Sequence, residues 1–498
     1  MMWNVVLGPP GTGKTTYLLN KVEQFLEAGV KPDKLGYVAF TKKAANEALV
    51  RAVDKFEFEP KELVYFRTLH SLCYHWLGLT RSDVMARSNL RDFSKTIGER
   101  INSAWDGENL MSLKSKGDTM LFIENMARNR CVGHREQWNQ AGTNISWMHF
   151  DWFVKNYSKY KEGNFLIDYT DMLELFLQSE GKPMLDVLIV DEAQDLSALQ
   201  WECVKKLAEG VEEVYIAGDD DQAIYRWAGA DVEQFIDLKG KTQYLKQSYR
   251  VPRKVHDVAL SVVKRIGNRK EKVWEPKQNE GSVMHHTSFE HVDIDKGDWL
   301  FLARNNYLLN QVEEYLKLKG RIYQKGGKSS VSENLISAIK DWEILREGGE
   351  IEAGRIRKIY GYMRVDKGVK RGYKTLKTVL DSTTLNINNL KKDYGLLVDC
   401  VWHECFDSIG NTQREYVISC LRRGEKLLSS KIRLNTIHAA KGGESDNVVL
   451  LTDLANKTWE ELYTNPDNEC RAFYVGVTRT KENLHIVRGK TRKEFLFV

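Results

Sequence analysis

The run Gly8-Pro9-Pro10-Gly11-Thr12-Gly13-Lys14-Thr15 has the spacing GxxxxGK[ST]. That spacing gathers backbone N–H groups, one ammonium and one hydroxyl around a single anion. The glycines let the N–H groups turn inward onto phosphate oxygens, and the helix that follows adds the positive end of its dipole. Lys14 has the reach for β- and γ-phosphates, and the Thr15 hydroxyl suits a Mg²⁺ ligand. The apolar run Val5–Leu7 comes just before the loop and a helical pattern just after it, which is the context such a loop requires.

A second chemical feature is Asp191-Glu192-Ala193-Gln194-Asp195, entered directly from the apolar run Val187–Val190. Carboxylates at the end of a buried parallel strand lie on the edge where ligands bind. Asp191 is placed to hold Mg²⁺ through water, and Glu192 to polarise an attacking water. A third strand-like run, Val214–Ala217, leads into Gly218-Asp219-Asp220-Asp221-Gln222. From there Gln222 could sense a γ-phosphate and align water.

These residues need strands that end on one edge. Val5–Leu7, Leu35–Phe40, Leu63–Phe66, Val187–Val190 and Val214–Ala217 read as buried strands, with helices at Thr15–Ala28 and Lys42–Phe56 between them. Further along, Trp299–Ala303, Val448–Leu451 and Leu484–Val487 are strand-like, accompanied by helices such as Asn305–Leu318. Such alternation predicts two α/β units built on parallel sheets. Residues 71–165 are helical in pattern and hold five of the thirteen tryptophans, and 330–430 is irregular; both read as insertions.

The chain has 498 residues, enough for about three domains of ordinary size. With 42% hydrophobic and 29% charged residues and only 8 prolines, its composition is globular and excludes disorder, collagen and proline-rich linkers as main themes. No stretch is long and apolar enough for a membrane span, and nothing reads as a signal peptide. The seven cysteines are odd in number and form no CxxC, so reduced thiols in a cytoplasm are expected. Cys400, His403 and Cys405 invite a metal reading, but no second ligand pair follows, and free thiols beside a buried Trp402 are expected. The net charge of +5 is uneven: residues 353–395 carry eleven Lys/Arg against three Asp/Glu, interleaved with Tyr360, Tyr362 and Tyr373. That stretch could contact duplex phosphates, with salt-sensitive binding, or be a solvated face.

Ile216–Ala230 reads IAGDDDQAIYRWAGA. With GPPGTGKTT and DEAQD it resembles superfamily 1 helicases of the UvrD/Rep/PcrA type. Other family motifs follow in order. Phe40-Thr41-Lys42-Lys43-Ala44-Ala45 is similar to motif Ia and Thr68-Leu69-His70-Ser71 to motif Ib. Ile167-Asp168-Tyr169-Thr170-Asp171 resembles the segment before the acidic strand. Gln247-Ser248-Tyr249-Arg250 resembles motif IV, and Leu302-Ala303-Arg304-Asn305 motif IVa. Thr436 to Glu444 (TIHAAKGGE) resembles motif V, and Tyr474 to Thr480 (YVGVTRT) motif VI. The set spans residues 8–480.

The resemblance implies two RecA-like P-loop NTPase domains, each with a mainly helical insertion. Domain 1A is expected at 1–70 and 166–245, 1B at 71–165, 2A at 246–330 and 431–498, and a shortened 2B at 331–430. It implies an ATP-dependent, Mg²⁺-requiring DNA helicase and single-strand translocase of 3′–5′ polarity, acting in replication, recombination or repair. Single-stranded DNA and its junctions with duplex are the implied partners, with accessory replication or repair proteins possible and no membrane. The nucleotide would be held by Gly8, Pro9, Pro10, Gly11, Thr12, Gly13, Lys14, Thr15 and Thr16, with Tyr249 stacked on adenine and Gly442 and Glu444 at the ribose side. Thr15 and Asp191 would hold Mg²⁺. Lys14, Glu192, Gln222, Arg250 and Arg479 would be catalytic, the two arginines reaching the γ-phosphate from the second domain. Phe40, Thr41, Thr68, His70, Tyr225, Trp227, Arg304, Thr436 and His438 match positions that line the DNA.

Departures from the family pattern are local. No Q-motif precedes the phosphate loop, so selectivity for adenine would rest on Tyr249. Gly443 replaces the usual leucine before Glu444, and Ser445 the usual aromatic after it. The second insertion is short, and the chain stops soon after motif VI, a compactness that resembles phage-encoded members. A translocase motor of a larger complex that unwinds poorly alone, a nucleotide-gated module without motor activity, and action on RNA stay open as alternatives.

Overall fold

The computed structural model describes residues 3–40, 42–102, 115–426 and 430–497. The chain divides into two compact units, one of residues 1–280 and 461–474, the other of residues 281–460 and 475–498. Among the described residues, no helix is long and apolar enough to cross a membrane.

The first unit is built on six parallel strands: β1 (Trp3–Leu7), β2 (Leu35–Ala39), β3 (Phe66–Thr68), β4 (Val187–Asp191), β5 (Glu213–Gly218) and β6 (Gly240–Tyr244). Their order is β3-β2-β4-β5-β1-β6. Alternate residues of each central strand face opposite sides, and both sides are buried. Val5, Leu7, Val38, Leu188, Val190 and Ile216 pack on one side, against helices Leu69–Trp76, Tyr169–Gln178 and Ala198–Ala208. Val6, Tyr37, Ile189 and Ala217 pack on the other, against helices Lys14–Glu27 and Lys42–Phe56. Burial on both faces is why these strands read as unbroken apolar runs. The strand expected at 63–66 lies instead at Phe66–Thr68; Leu63 is buried but sits in the preceding turn. Strand β6 escapes the sequence pattern because it is an edge strand with all five residues exposed.

The first insertion has its own core. Helices Arg87–Ile97, Lys116–Asn129, His134–Gln140 and Trp147–Gly163 bury Phe93, Met120, Ile123, Phe150 and Phe153 among themselves. An ion cluster ties this core to the sheet unit: Arg128 pairs with Asp168, Asp171, Glu124 and Glu174, and Lys161 pairs with Asp168 and Asp171.

A parallel pair, β7 (Gln247–Pro252) and β8 (Glu275–Lys277), also belongs to the first unit. The second unit carries β9 (Ser282–His286), β10 (Trp299–Ala303), β11 (Gln324–Lys325), β12 (Lys328–Ser329), β13 (Ile351–Glu352), β14 (Thr384–Leu385), β15 (Ile432–Thr436), β16 (Ser445–Leu451) and β17 (Thr480–Val487). Seven of these form one sheet in the order β12-β11-β15-β10-β16-β17-β9, parallel except for the β11–β12 hairpin. The stretch that read as irregular carries helices at Glu333–Arg346, Ala353–Gly361, Ile387–Asp393 and Asn411–Arg422 beside the small β13–β14 pair, with turns and loops between them. Unlike the first insertion, it does not build a separate core. Trp342, Leu390, Trp402 and Val417 join Phe301, Leu434 and Val449 of the sheet in one continuous cluster.

The expectation of free thiols at Cys400 and Cys405 is corrected. The short helix Trp402–Cys405 folds the chain back so that their Cα atoms lie 5.8 Å apart, and the two sulfurs are bonded. The other five cysteines are free, and Trp402 is buried as expected.

Candidate nucleotide and nucleic-acid site

Strands β4, β5 and β1 are consecutive in the first sheet. Being parallel, they deliver Asp191-Glu192, Asp219–Gln222 and the Gly8–Thr15 loop to one edge. Lys14 and Thr15 open the helix Lys14–Glu27, so the loop wraps its N-terminus. Lys14 Nζ donates to the Gly8 carbonyl at 2.8 Å and lies 3.8 Å from Glu192 Oε1. Gly8 must lack a side chain, because a Cβ there would come within 2.1 Å of Lys14 Cγ. Thr15 Oγ1 donates to Asp191 Oδ2 at 3.0 Å, and the Tyr37 hydroxyl donates to the same oxygen at 3.2 Å.

Burial, reinforced by the adjacent Glu192 carboxylate, pushes the Asp191 carboxyl up to about 6, while Lys14 and the Thr15 hydroxyl pull against that rise. Glu192 itself is held at φ +55°, ψ +38°. For a residue with a Cβ this conformation costs on the order of 1–2 kcal/mol. Strain of this kind gathers at functional sites.

Gln222 is buried and donates through Nε2 to Asp219 Oδ2 at 2.7 Å. The Asp219 N–H donates to Gln194 Oε1 at 3.0 Å, and Gln194 Nε2 donates to Glu192. One glutamine therefore joins the ends of β4 and β5. Sequence reading missed Gln194, although it stands inside DEAQD, because only the strand neighbours reveal what its amide spans.

Arg250 departs from expectation. It does not belong to the second unit; it stands on β7 in the first, beside the phosphate loop. Tyr249 N–H donates to the Gly11 carbonyl at 2.8 Å, and Ser248 Oγ to the Pro10 carbonyl at 2.8 Å. Gly11 has φ +71°, and a Cβ on it would fall 2.4 Å from Arg250 Cβ, so close approach and backbone conformation both demand glycine. Tyr249 is 74% exposed beside this loop, with its ring face available.

The aromatic residues past Gln222 are grouped. Phe40 stacks on Tyr225 with centroids 5.5 Å apart, and Tyr225 meets Trp227 at 6.3 Å. Phe40, His70 and Tyr225 line a small cavity of about 20 Å³ with Asn129, Asp195 and Ser197. Burial, with the Lys42 charge, lowers the His70 imidazole to about 4 against a weaker opposing pull from Asp168. Thr68 is buried, and its hydroxyl caps the helix Leu69–Trp76 by accepting from Ser71 N–H. Thr41 lies outside the described residues.

In the second unit, Thr436 is the last residue of β15, and Arg304 and His438 lie just beyond the C-terminal ends of the neighbouring strands β10 and β15. Ala303 of β10 pairs with Thr436 of β15, and the Ile437 N–H donates to the Ala303 carbonyl at 3.0 Å. Thr436 Oγ1 accepts from Ala439 N–H at 3.2 Å, and His438 is buried. Gly442 has φ +79°, and Glu444 is exposed. Arg479 is buried, donating to the carbonyls of Val475 at 3.0 Å and Gly443 at 3.3 Å.

Residues 3–243 match the UvrD/REP helicase N-terminal domain, and residues 354–491 match the UvrD-like helicase C-terminal domain. The chain belongs to the UvrD/Rep helicase family. Its relatives include ATP-dependent DNA helicases PcrA from three bacteria. The Bacillus subtilis protein is 24% identical over 380 residues, covering 72% of this chain and 51% of the relative. That of Staphylococcus epidermidis is 24% identical over 306 residues, 58% of this chain and 42% of the relative. That of Staphylococcus aureus is 25% identical over 301 residues, 57% of this chain and 40% of the relative. The chain thus spans about half the length of the relatives it matches.

As a UvrD/Rep member the chain has the two α/β units of the expected RecA-like pair, each on a mostly parallel sheet. The UvrD/Rep motifs of the first unit that are described, from the phosphate loop to Arg250, gather on one sheet edge and on the β7 segment beside it. Those of the second unit gather at the ends of β10 and β15, in the turn before β16, and where the helix Pro466–Val477 leads into β17.

Proposed function

We propose that this chain is an ATP-dependent DNA translocase and helicase of 3′–5′ polarity. The observation that carries this reading is the convergence of Lys14, Thr15, Asp191, Glu192 and Gln222 at the ends of three adjacent strands. Lys14 and the loop N–H groups would bind the phosphates, and Glu192 would accept the proton of an attacking water. Gln222, held by Asp219, would orient that water, and Arg250 and Arg479 would neutralise charge on the transferred group.

The Thr15 hydroxyl and the Asp191 carboxylate, 3.0 Å apart and both oxygen donors, fit a Mg²⁺ site. Bound there, Mg²⁺ would supply positive charge against the phosphates and relieve the repulsion between Asp191 and Glu192. Phe40, Tyr225 and Trp227 supply stacking platforms, each worth roughly 1–3 kcal/mol per base. Single-stranded DNA and its junctions with duplex are the proposed substrates, and the basic stretch 353–395 is a proposed phosphate contact.

A strand-displacement assay on 3′-tailed and 5′-tailed duplexes, in DNA and RNA versions, tests the proposal. ATP-dependent unwinding of the 3′-tailed DNA alone is expected. Unwinding of only the 5′-tailed form would reverse the polarity, and absence of any DNA-stimulated hydrolysis would remove the motor. A second reading, a translocase that unwinds poorly alone, is favoured by one observation: the second insertion shares its core with the sheet and does not form a separate lobe. DNA-stimulated hydrolysis without strand displacement would select it.

A further inference from the structure

Behind the strand edge lies a cluster of charges that the chemistry above leaves unused. Asp219, Asp220 and Asp221 are consecutive and fully buried. Three carboxylates this close could not all stay ionised without cations. Lys272, whose side chain is only 1% exposed, supplies the centre: its Nζ is 3.2 Å from Asp219 Oδ1, 2.9 Å from Asp221 Oδ2, and also pairs with Asp220. Arg269 grips Asp221 with two parallel bonds of 2.7 Å. Arg471, also buried, donates through Nε to the Asp220 carbonyl at 2.9 Å and through Nη2 to the Asn268 carbonyl. The Lys270 N–H reaches Asp220 Oδ2 at 2.8 Å.

The two oxygens of Asp219 face different partners. Oδ1 meets Lys272, and Oδ2 accepts from Gln222. The Asp219 N–H is bonded to Gln194, and Gln194 to Glu192. We infer that Lys272 is a positioning residue for ATP hydrolysis, acting through Asp219 on Gln222 and Glu192. Without the ammonium, three adjacent buried carboxylates either take up a proton or turn toward water. Both outcomes change what Asp219 offers Gln222. Lys272 also closes a circuit along the chain: the segment 267–272 follows the helix Arg253–Val263, which begins three residues after Arg250. The run of chain that sets Tyr249 and Arg250 against Gly11 therefore returns to hold the sensor glutamine.

This inference rests on the ATPase reading, and the test separates the two. DNA-stimulated hydrolysis and binding of a fluorescent ATP analogue are measured on wild type, Lys272→Met, Lys272→Arg and Asp220→Asn. Lys272→Met is expected to lower kcat by about tenfold or more while KM and the analogue's Kd stay within about threefold. Lys272→Arg is expected to recover kcat to within about threefold of wild type, because it keeps the charge. Asp220→Asn, which loosens the cluster without touching Gln222, is expected to lower thermal stability and leave kcat within about twofold. The Lys272→Met/Gln222→Ala double variant should be no slower than the slower single variant.

The positioning role is overturned if Lys272→Met keeps wild-type kcat, if kcat and nucleotide affinity fall together, or if the two losses multiply. Should Lys272→Met not accumulate as folded protein, Asp219→Asn, nearly isosteric and one charge lighter, carries the same kcat-against-Kd comparison. Wild-type protein that hydrolyses no ATP would instead sink the ATPase reading itself.

Discussion

Thr15 Oγ1 and Asp191 Oδ2 are 176 residues apart in the chain and 3.0 Å apart in space. The bond joins the helix that opens after β1 to the end of β4, two strands away in the sheet. It brings the phosphate loop and the acidic pair into one site, and Lys14 and Glu192 stand beside it at 3.8 Å.

Lys14→Ala and Glu192→Gln are each expected to lower DNA-stimulated phosphate release by about 100-fold or more. The two should differ in binding. Lys14→Ala loses nucleotide affinity, whereas Glu192→Gln keeps it, since the amide preserves shape and removes only the base. Steady-state hydrolysis and equilibrium binding measured on the same preparations check this. Hydrolysis that survives in Glu192→Gln would take the general-base role away from Glu192.

Trp227 sits in the aromatic group with Tyr225 and Phe40 and is not part of the phosphate edge. Trp227→Ala should therefore reduce the stimulation by single-stranded DNA about tenfold and leave basal hydrolysis within about twofold, in line with the loss of one stacking platform. Equal loss of basal and stimulated rates would mark the tryptophan as structural.

The His70 imidazole is lowered from its ordinary 6.5 to about 4 by burial and the Lys42 charge. A histidine kept neutral in the folded state stabilises it fully above pH 6.5, and this contribution is lost as pH falls from 6.5 through about 4. The full effect is about 3 kcal/mol at most. Denaturant titrations across this window should show wild-type stability falling more steeply than that of His70→Gln. Parallel slopes for the two proteins would assign the acid sensitivity elsewhere.

Arg128 compensates Asp168, Asp171 and Glu124 where the first insertion meets the sheet unit. Removing it leaves buried carboxylates without their main cation, so Arg128→Ala should cost about 3–5 kcal/mol in equilibrium unfolding. Limited proteolysis should also cut sooner near residues 130–165 if the cluster is what docks the inserted helices. Unchanged stability would mean that Lys161 alone suffices.

With Cys400 and Cys405 bonded, thiol titration of the denatured, unreduced protein should find five thiols, rising to seven after reduction. Seven from the start would show the pair reduced in the isolated protein.

What the sequence determined by itself was local. A phosphate loop, an acidic strand end and the GDDDQ turn each declare themselves within about ten residues, because backbone geometry and side-chain chemistry are set by near neighbours. The central strands were equally legible, since burial on both faces leaves an unbroken apolar run. What only the tertiary structure decided is which distant groups meet. Arg250 belongs beside Gly11 in the first unit because Ser248 and Tyr249 bond the phosphate loop, a pairing that no local pattern encodes. Thr68 is a helix cap, and Gln194 is the amide that joins two strand ends. The second insertion merges with the core of its sheet, whereas the first builds its own. Lys272 looked like any surface lysine, lying among Arg269, Lys270 and Glu271, and only the folded chain buries it among three aspartates. A buried charge is tolerated only where its partners are already in place, and those partners lie some fifty residues upstream, in the turn that follows β5.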